Sequence, residues 1–263
     1  MDLGLKDKIA VVGGASKGIG KATALGFARE GAKVAICARD PDLLQCAAEE
    51  IRKATGAEVL TVPGDLSLAH TAEALIEETV EQFGTVHVLV NNTGGPPLGG
   101  FSRMSDEEWE KAFALNFLSA VRLIRKVLPY MEKQKWGRIV NVMSMSVKEP
   151  IDGLILSNGV RPAVVGMAKT LSREVGKYNI TVNTVLPGRI LTDRLRSAIS
   201  SRAQATGKSI EQALAESSSD VPLGRIGDPH EMANVIVFLA SEAASYVSGV
   251  SIQVDGGLIR GLM

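Results

Sequence analysis

The sequence predicts an α/β protein built on a doubly wound, parallel sheet of about seven strands with helices on both faces. Two observations predict it. Short apolar runs alternate with helical stretches along the whole chain. Several of those runs, such as Val34-Ala35-Ile36-Cys37-Ala38 and Val86-His87-Val88-Leu89-Val90, are apolar at consecutive positions, which suits strands covered on each side.

Lys8–Val12 is the first strand and ends at glycines; a helix follows from about Gly18 to Glu30. Lys33–Ala38 is the second strand. Pro41–Thr55 is a helix with proline in its first turn, where its missing N–H costs nothing. Glu58–Pro63, Val86–Val90, Arg138–Met143, Thr181–Leu186 and Val250–Val254 read as further strands. Leu68–Phe83, Asn158–Tyr178 and Pro229–Leu239 read as helices between them. Glu107–Gln134 reads as one long helical stretch, ended or interrupted near Pro129. No linker or shift in composition divides the chain, so residues 1–263 form one domain. The segment Ile190–Gly227 breaks the rhythm: it is long, polar and rich in Ser, Arg and Ala, and reads as a lid over a substrate site.

Bulk properties bound the function. Of 263 residues 45% are hydrophobic and 22% charged, and 29 basic residues balance 29 acidic ones, which leaves no electrostatic case for nucleic acid or an anionic membrane as partner. The two cysteines, Cys37 and Cys46, suit a reducing compartment, and no His/Cys cluster suggests a metal. The N-terminus lacks the pattern of a signal peptide and no apolar run is long enough to span a bilayer, so a cytoplasmic location is expected.

The loop Gly14-Ala15-Ser16-Lys17-Gly18-Ile19-Gly20 follows a strand and opens a helix. Glycines there let the backbone approach a pyrophosphate, and the helix N-terminus offers free N–H groups. A carboxylate at the end of the second strand would bind the ribose of NAD and repel a 2′-phosphate; Ala38 stands at that position. Arg39 follows, and together with Lys17 it suits a 2′-phosphate, although each alone reads equally as a solvated surface charge. NADP is the expected cofactor, and Asp40 keeps NAD as the alternative.

The segment Trp136–Ser144 reads as a buried strand ending in serine, and Ser157-Asn158-Gly159-Val160-Arg161 follows at the start of a helix. With the glycine loop, these residues resemble the short-chain dehydrogenase/reductase family, of Rossmann type, and within it the 3-oxoacyl-carrier-protein reductases. Asp65-Leu66, Asn91-Asn92-Thr93-Gly94, Pro187-Gly188-Arg189-Ile190-Leu191-Thr192 and Val254-Asp255-Gly256-Gly257 resemble further family motifs, so the likeness runs from about residue 5 to 257. It implies that Asp65 and Leu66 contact adenine, that Asn92 and Gly94 line the cofactor cleft, and that Pro187, Gly188 and Thr192 hold the carboxamide end. It also implies that Asn116 holds a water behind the catalytic cation, and that the protein is a homotetramer. Helices Glu107–Gln134 and Asn158–Tyr178 would form one interface and the apolar C-terminal segment, with Leu258–Met263, the other. Gly13 departs from the family, which has threonine there.

A larger departure lies at the reacting centre. The family uses serine at the position of Ser144, which is kept, and a Tyr-x-x-x-Lys pair at the positions of Ser157 and Arg161, which is not. Tyrosine gives or takes the proton because its pKa of about 10 can be pulled down by a neighbouring cation. A serine hydroxyl is a far weaker acid, and an arginine stays protonated, though Arg161 keeps the capacity to bind the nicotinamide ribose; Ser157 as an N-cap and Arg161 as a ribose clamp, with no catalytic duty, is the plainer alternative. Tyr130, Tyr178 and Tyr246 are the only tyrosines and lie in other elements, as do His70, His87 and His230. Three readings remain open. The protein is an oxidoreductase in which Ser144 and Ser157 bind the substrate oxygen, Arg161 stabilises alkoxide charge and water delivers the proton. Or it binds NADP(H) without turnover, as a sensor or partner subunit. Or Arg161 recognises a carboxylate and the site does different chemistry. The lid carries Arg189, Arg194, Arg196, Arg202 and Lys208 against Asp193, Glu211, Glu216 and Asp220, a mild basic excess in its first half that reads first as a solvated helix face and otherwise favours an anionic small molecule or an acyl thioester.

Overall fold

The computed structural model describes residues 2–262. Seven strands form one parallel sheet: β1 (Ile9–Gly13), β2 (Lys33–Ala38), β3 (Val59–Pro63), β4 (Val88–Asn91), β5 (Gly137–Val142), β6 (Ile180–Pro187) and β7 (Ser251–Val254). Their order is β3-β2-β1-β4-β5-β6-β7. The chain winds outward from β1 to β3, then returns and winds the other way from β4. The reversal between β1 and β4 opens a crevice at the carboxyl ends of the strands, where doubly wound sheets bind ligands.

The strands show why consecutive apolar residues are needed. In β1, Ala10 and Val12 pack in one core while Val11 packs in the other; in β2, Val34, Ile36 and Ala38 alternate in the same way with Ala35 and Cys37. The first core is covered by α1 (Gly18–Arg29), α2 (Pro41–Thr55) and α9 (Pro229–Leu239). The second is covered by α3 (Ala69–Phe83), α5 (Ser119–Gln134) and α6 (Ile155–Val175). Cys37 lies fully buried in the second core, and burial pushes its thiol pKa up to about 12, so it is an inert packing group.

Three sequence expectations change. Pro129 does not end its helix: α5 continues to Gln134, because Pro129 and Arg125, whose carbonyl loses its helical donor, both face solvent. The long stretch before it is also not one α-helix. It is α4 (Asp106–Phe113), a π-helical turn over Ala114–Leu118, and α5. The last helix of this layer begins earlier than expected, at Ile155, and Ser157 is its third residue. The Asn158 side chain pins the preceding loop through two hydrogen bonds to the backbone of Ile151, and Gly153 turns that loop at φ +73°.

The segment expected as a lid folds into α7 (Asp193–Thr206) and α8 (Ile210–Ser218). A small core of Ile199, Ala203 and Ala213 joins them. Its two ends are tied together: Leu191 N–H donates to Gly227 O at 2.8 Å and Gly227 N–H to Arg189 O at 2.9 Å.

At the amino end of the sheet, away from the crevice, Arg138 is fully buried and every nitrogen of its guanidinium has a partner. It donates to Gly137 O, Asn179 O, Ser241 O and Glu242, and stacks on Trp136 at 4.3 Å. A buried cation in this fold is thus fully satisfied when its role is structural. Among the described residues, no helix is long and apolar enough to cross a membrane.

Candidate active site

The crevice is a cleft of about 1400 Å³. Pockets for one small ligand usually span about 300–1,000 Å³, so this one has room for a dinucleotide and a second molecule. Its floor is the glycine loop and the ends of the strands; α7 and the loop after β4 form its sides. Gly14, Ser16, Lys17, Gly18, Ile19, Gly20, Arg39, Asp65, Leu66, Asn92, Gly94, Ser144, Ser157, Arg161, Pro187, Gly188 and Thr192 all line it. Asn116 does not; it lies buried behind the wall.

The glycine loop is shaped by close contacts that only glycine permits. Gly14 and Gly18 both have φ near +57°. A Cβ on Gly20 would collide with the Gly14 carbonyl and stand 2.8 Å from Asn92 Nδ2. Asn92 holds the loop by donating to Gly13 O at 3.0 Å and Gly14 O at 3.3 Å. A Cβ on Gly13 would lie 2.7 Å from Asn92 O and 2.9 Å from the Leu66 side chain, so a side chain at this position would require the neighbouring backbone to shift. No side chain caps the N-terminus of α1, so its first N–H groups are left for an anionic ligand.

At the end of β2, Asp40 is not available to a ribose in the way a strand-end carboxylate would be. It is the N-cap of α2 and accepts from the N–H groups of Asp42 and Leu43 at 3.1 and 3.0 Å. Arg39 is exposed and lines the cleft. Lys17 differs from expectation: its Nζ pairs with Asp193 at the start of α7 at 3.4 Å, a solvent-exposed contact joining the glycine loop to that helix.

The reacting end is built from the end of β5 and the first turns of α6. Ser144 Oγ accepts from Ser146 N–H at 3.1 Å. Ser157 does not pair with Ser144; its hydroxyl meets that of Ser146 at 3.2 Å. Nor does Ser157 cap its helix, whose N-cap residue is Leu154. Ser146, buried behind the cleft, was missed in the sequence because its partner is eleven positions away and on a different element. Arg161, one helical turn after Ser157, is buried. Its Nη1 donates to Met143 O at 2.7 Å and Val142 O at 3.4 Å, while its Nε is buried without a partner. Burial and the charge of Arg194 pull its pKa down to about 10, so it remains a cation at neutral pH. Asn116, in the π-helical turn, donates to Thr93 Oγ1 and Gly94 O at 2.9 and 3.0 Å, and its Oδ1 has no partner. Among the described residues no tyrosine or histidine lines the cleft. Lys169, on α6, is exposed and donates to Gly249 O. Lys111 of α4 lines the substrate end and carries no signal in the sequence, since α4 is an ordinary amphipathic helix there.

A glycine cradle beneath an uncapped helix, facing a serine and a buried cation across one crevice, defines a nucleotide-dependent α/β enzyme. A family model described as "Enoyl-(Acyl carrier protein) reductase" matches residues 14–259. An uncharacterized oxidoreductase of Bacillus subtilis, YvrD, is 35% identical over 266 residues, covering 100% of both chains. The 3-oxoacyl-[acyl-carrier-protein] reductase FabG of Thermotoga maritima is 37% identical over 258 residues, covering 97% of this chain and 99% of that one. Among solved structures, L-sorbose reductase from Gluconobacter frateurii, complexed with NADPH and L-sorbose, superposes with a TM-score of 0.97 at 35% identity over the whole of both chains. The chain belongs to the short-chain dehydrogenase/reductase family and is an oxidoreductase by that membership.

Proposed function

We propose that the protein transfers a hydride between NADP(H) and the carbonyl or alcohol carbon of a small molecule, using Ser144, Ser157 and Arg161 in place of the usual set. The observation that carries this reading is the intact cofactor cradle sharing one cleft with Ser144 and the buried cation of Arg161. The cradle fits the dinucleotide: the uncapped start of α1 and the Gly14–Gly20 turn would hold the diphosphate, and Pro187, Gly188 and Thr192 the nicotinamide end. The bound nicotinamide would supply or accept the hydride. Ser144 would donate to the substrate oxygen. The buried positive charge of Arg161 would stabilise alkoxide character on that oxygen. With no tyrosine in the cleft, the proton would come from water, with the Ser157–Ser146 hydroxyl pair ordering its approach. Relatives described as 3-oxoacyl-[acyl-carrier-protein] reductases make 3-oxoacyl thioesters one substrate class to assay. The test is nicotinamide absorbance during incubation with a panel of ketones, thioesters and alcohols. Tight NADPH binding with no turnover on any of them would favour a sensor or partner subunit instead.

NADP(H) is preferred to NAD(H) in this reading, because Arg39 faces the cleft, Ala38 offers no opposing charge, and Asp40 is occupied in capping α2. NADPH-bound relatives such as the L-sorbose reductase support it. Arg39→Asp is expected to reverse the preference, weakening NADPH by about tenfold to a hundredfold, the worth of a lost charge-assisted contact. Fluorescence titration of both cofactors reads this, and equal affinities in the unaltered protein would refute the assignment. Lys17 contributes only by exchanging Asp193 for the phosphate.

The proposed assembly is a homotetramer. β7 is the outermost strand of the sheet and its four residues are only half-buried. Tyr246 and Leu262 near it are fully exposed, and Phe113 is exposed beside α5. Met263 lies outside the described residues. Light scattering is expected to give four times the 27.8 kDa chain mass, and a monomer at micromolar concentration would overturn the assembly.

A further inference from the structure

We infer that the substrate carries a carboxylate, which docks between Arg161 and Arg194 with an apolar body against Leu98, Ile151 and Leu154. The inference rests on the function proposed above for the position of the reacting carbonyl, which lies within a few bonds of this carboxylate because Arg161 serves both. The anion site itself stands on three separate observations.

First, Arg161 is an incompletely used buried cation. Only its Nη1 has partners, both of them carbonyls; Nε is buried and unpartnered, and Nη2 makes no hydrogen bond among the described residues. Nε and Nη2 form the guanidinium edge whose two parallel N–H groups match a carboxylate. The fully engaged Arg138 at the other end of the sheet shows what this fold does with a purely structural arginine.

Second, the substrate end of the cleft has cations and no acid. Lys111, Arg161 and Arg194 line it, whereas the acidic lining residues are Asp40, Asp42 and Asp65 at the β2–β3 end and Asp193, which pairs with Lys17. The phosphates of a dinucleotide are accounted for elsewhere, at the start of α1 and beside Arg39. They do not neutralise this end.

Third, Arg194 is set apart from the other lid cations. Arg189 pairs with Asp220, and Arg202 and Lys208 pair with Glu216; Arg196 has no such pair among the described residues but does not line the cleft, as Arg194 does. Arg194 has no carboxylate partner among the described residues. It reaches across the cleft instead, donating from Nη2 to Pro96 O at 2.8 Å. Its guanidinium lies over Gly95, where an added Cβ would stand 2.6 Å from Cζ. Two guanidiniums facing one cavity repel each other, and Arg194 accordingly lowers the pKa of Arg161. An anion between them removes the repulsion and completes the unused edge of Arg161. The neighbouring wall of Leu98, Ile151 and Leu154 is apolar, which sets the character of the rest of the ligand.

The test uses 3-phenylpropanoate and 3-phenylpropanamide, which match in shape and differ in charge, titrated by calorimetry into the NADP⁺-saturated protein. The carboxylate is expected to bind at least about tenfold more tightly than the amide, the increment of a charge-assisted pair. Arg194→Met is expected to abolish that preference while leaving NADP⁺ affinity within about twofold, because its guanidinium is held at Pro96 and Gly95 and not at the start of α1 or beside Arg39. Arg194→Lys should keep part of the preference. Equal or absent binding of acid and amide overturns the inference. So does an Arg194→Met variant that loses NADP⁺ affinity and keeps the preference, or a phenylethylphosphonate that binds more than about tenfold better than the carboxylate. If the protein binds no NADP⁺, the oxidoreductase reading fails by itself. The same titration on the unliganded protein then decides the anion site alone.

Discussion

Replacing Arg161 with methionine is expected to lower turnover by about 10²–10³-fold, the worth of electrostatic stabilisation of a developing oxyanion, while leaving the melting temperature unchanged or raised. The two effects have one cause. Arg161 is 6% exposed and has no carboxylate within salt-bridge distance among the described residues. Desolvating such a cation costs several kcal/mol, whereas the lost hydrogen bond to Met143 O costs about 1–3 kcal/mol. An apolar side chain of similar length therefore offsets the loss and removes the larger penalty. Cofactor affinity is expected to fall by about tenfold, since a charge-assisted contact to the nicotinamide end disappears. Arg161→Lys keeps the charge but not the parallel edge, so it should preserve cofactor binding better than turnover. Thermal unfolding, NADPH titration and steady-state rates on the same preparations separate these effects. A drop in melting temperature of more than about 5 °C would make Arg161 a structural group and remove it from the chemistry.

How much of this was legible in the sequence depended on whether the determinant was local. β1, β2 and β4 were visible because nearly every position is buried and apolar, with Lys33 at the start of β2 and Asn91 at the end of β4 the only polar residues, and neither interrupts the run. The Gly14–Gly20 loop was visible because positive φ at Gly14 and Gly18 demands glycine. The start of α6 was not, because it is set by Asn158 reaching back to Ile151 and by packing of Leu156. The π-helical turn at Ala114–Leu118 has no residue that marks it, yet it is the element that carries Asn116 toward Thr93 and Gly94. The Ser146–Ser157 contact, the Lys17–Asp193 pair and the crossing of Arg194 to Pro96 all join residues brought together by the sheet order, at separations of 11, 176 and 98 positions. Pattern along the chain places elements, whereas these contacts exist only once the elements are stacked. The segment holding α7 and α8 illustrates both sides: its composition set it apart as a unit, but only its folding pairs Arg189, Arg202 and Lys208 with acids and leaves Arg194 facing the cleft.

The double variant Ser157→Tyr with Arg161→Lys is expected to gain carbonyl reduction and to acquire a pH dependence that the natural protein lacks. Ser157 and Arg161 lie four residues apart on one face of α6 and both line the cleft, so the new side chains would share that space. A tyrosine beside a lysine cation has its pKa pulled below the ordinary value of about 10 and becomes a usable acid and base. In the oxidation direction the rate of the double variant should then rise with pH through that pKa and level off. The natural site has no such group. Arg161, with its pKa at about 10, is protonated throughout the neutral range, so its contribution is constant there and is lost only as pH climbs past that value. Ser157→Ala in the natural protein is expected to slow turnover by about tenfold to a hundredfold, the lower range for a group that assists proton transfer. An unchanged rate would leave Ser157 without a catalytic role. A double variant that folds and binds NADPH but shows neither faster reduction nor a new ionisation would mean that the missing acid does not limit the natural reaction. Turnover measured from about pH 6 to 9, below the range in which Arg161 loses its charge, for the natural protein, Ser157→Ala and the double variant decides among these outcomes, because a water-supplied proton gives a flat profile there and a tyrosine-supplied one does not.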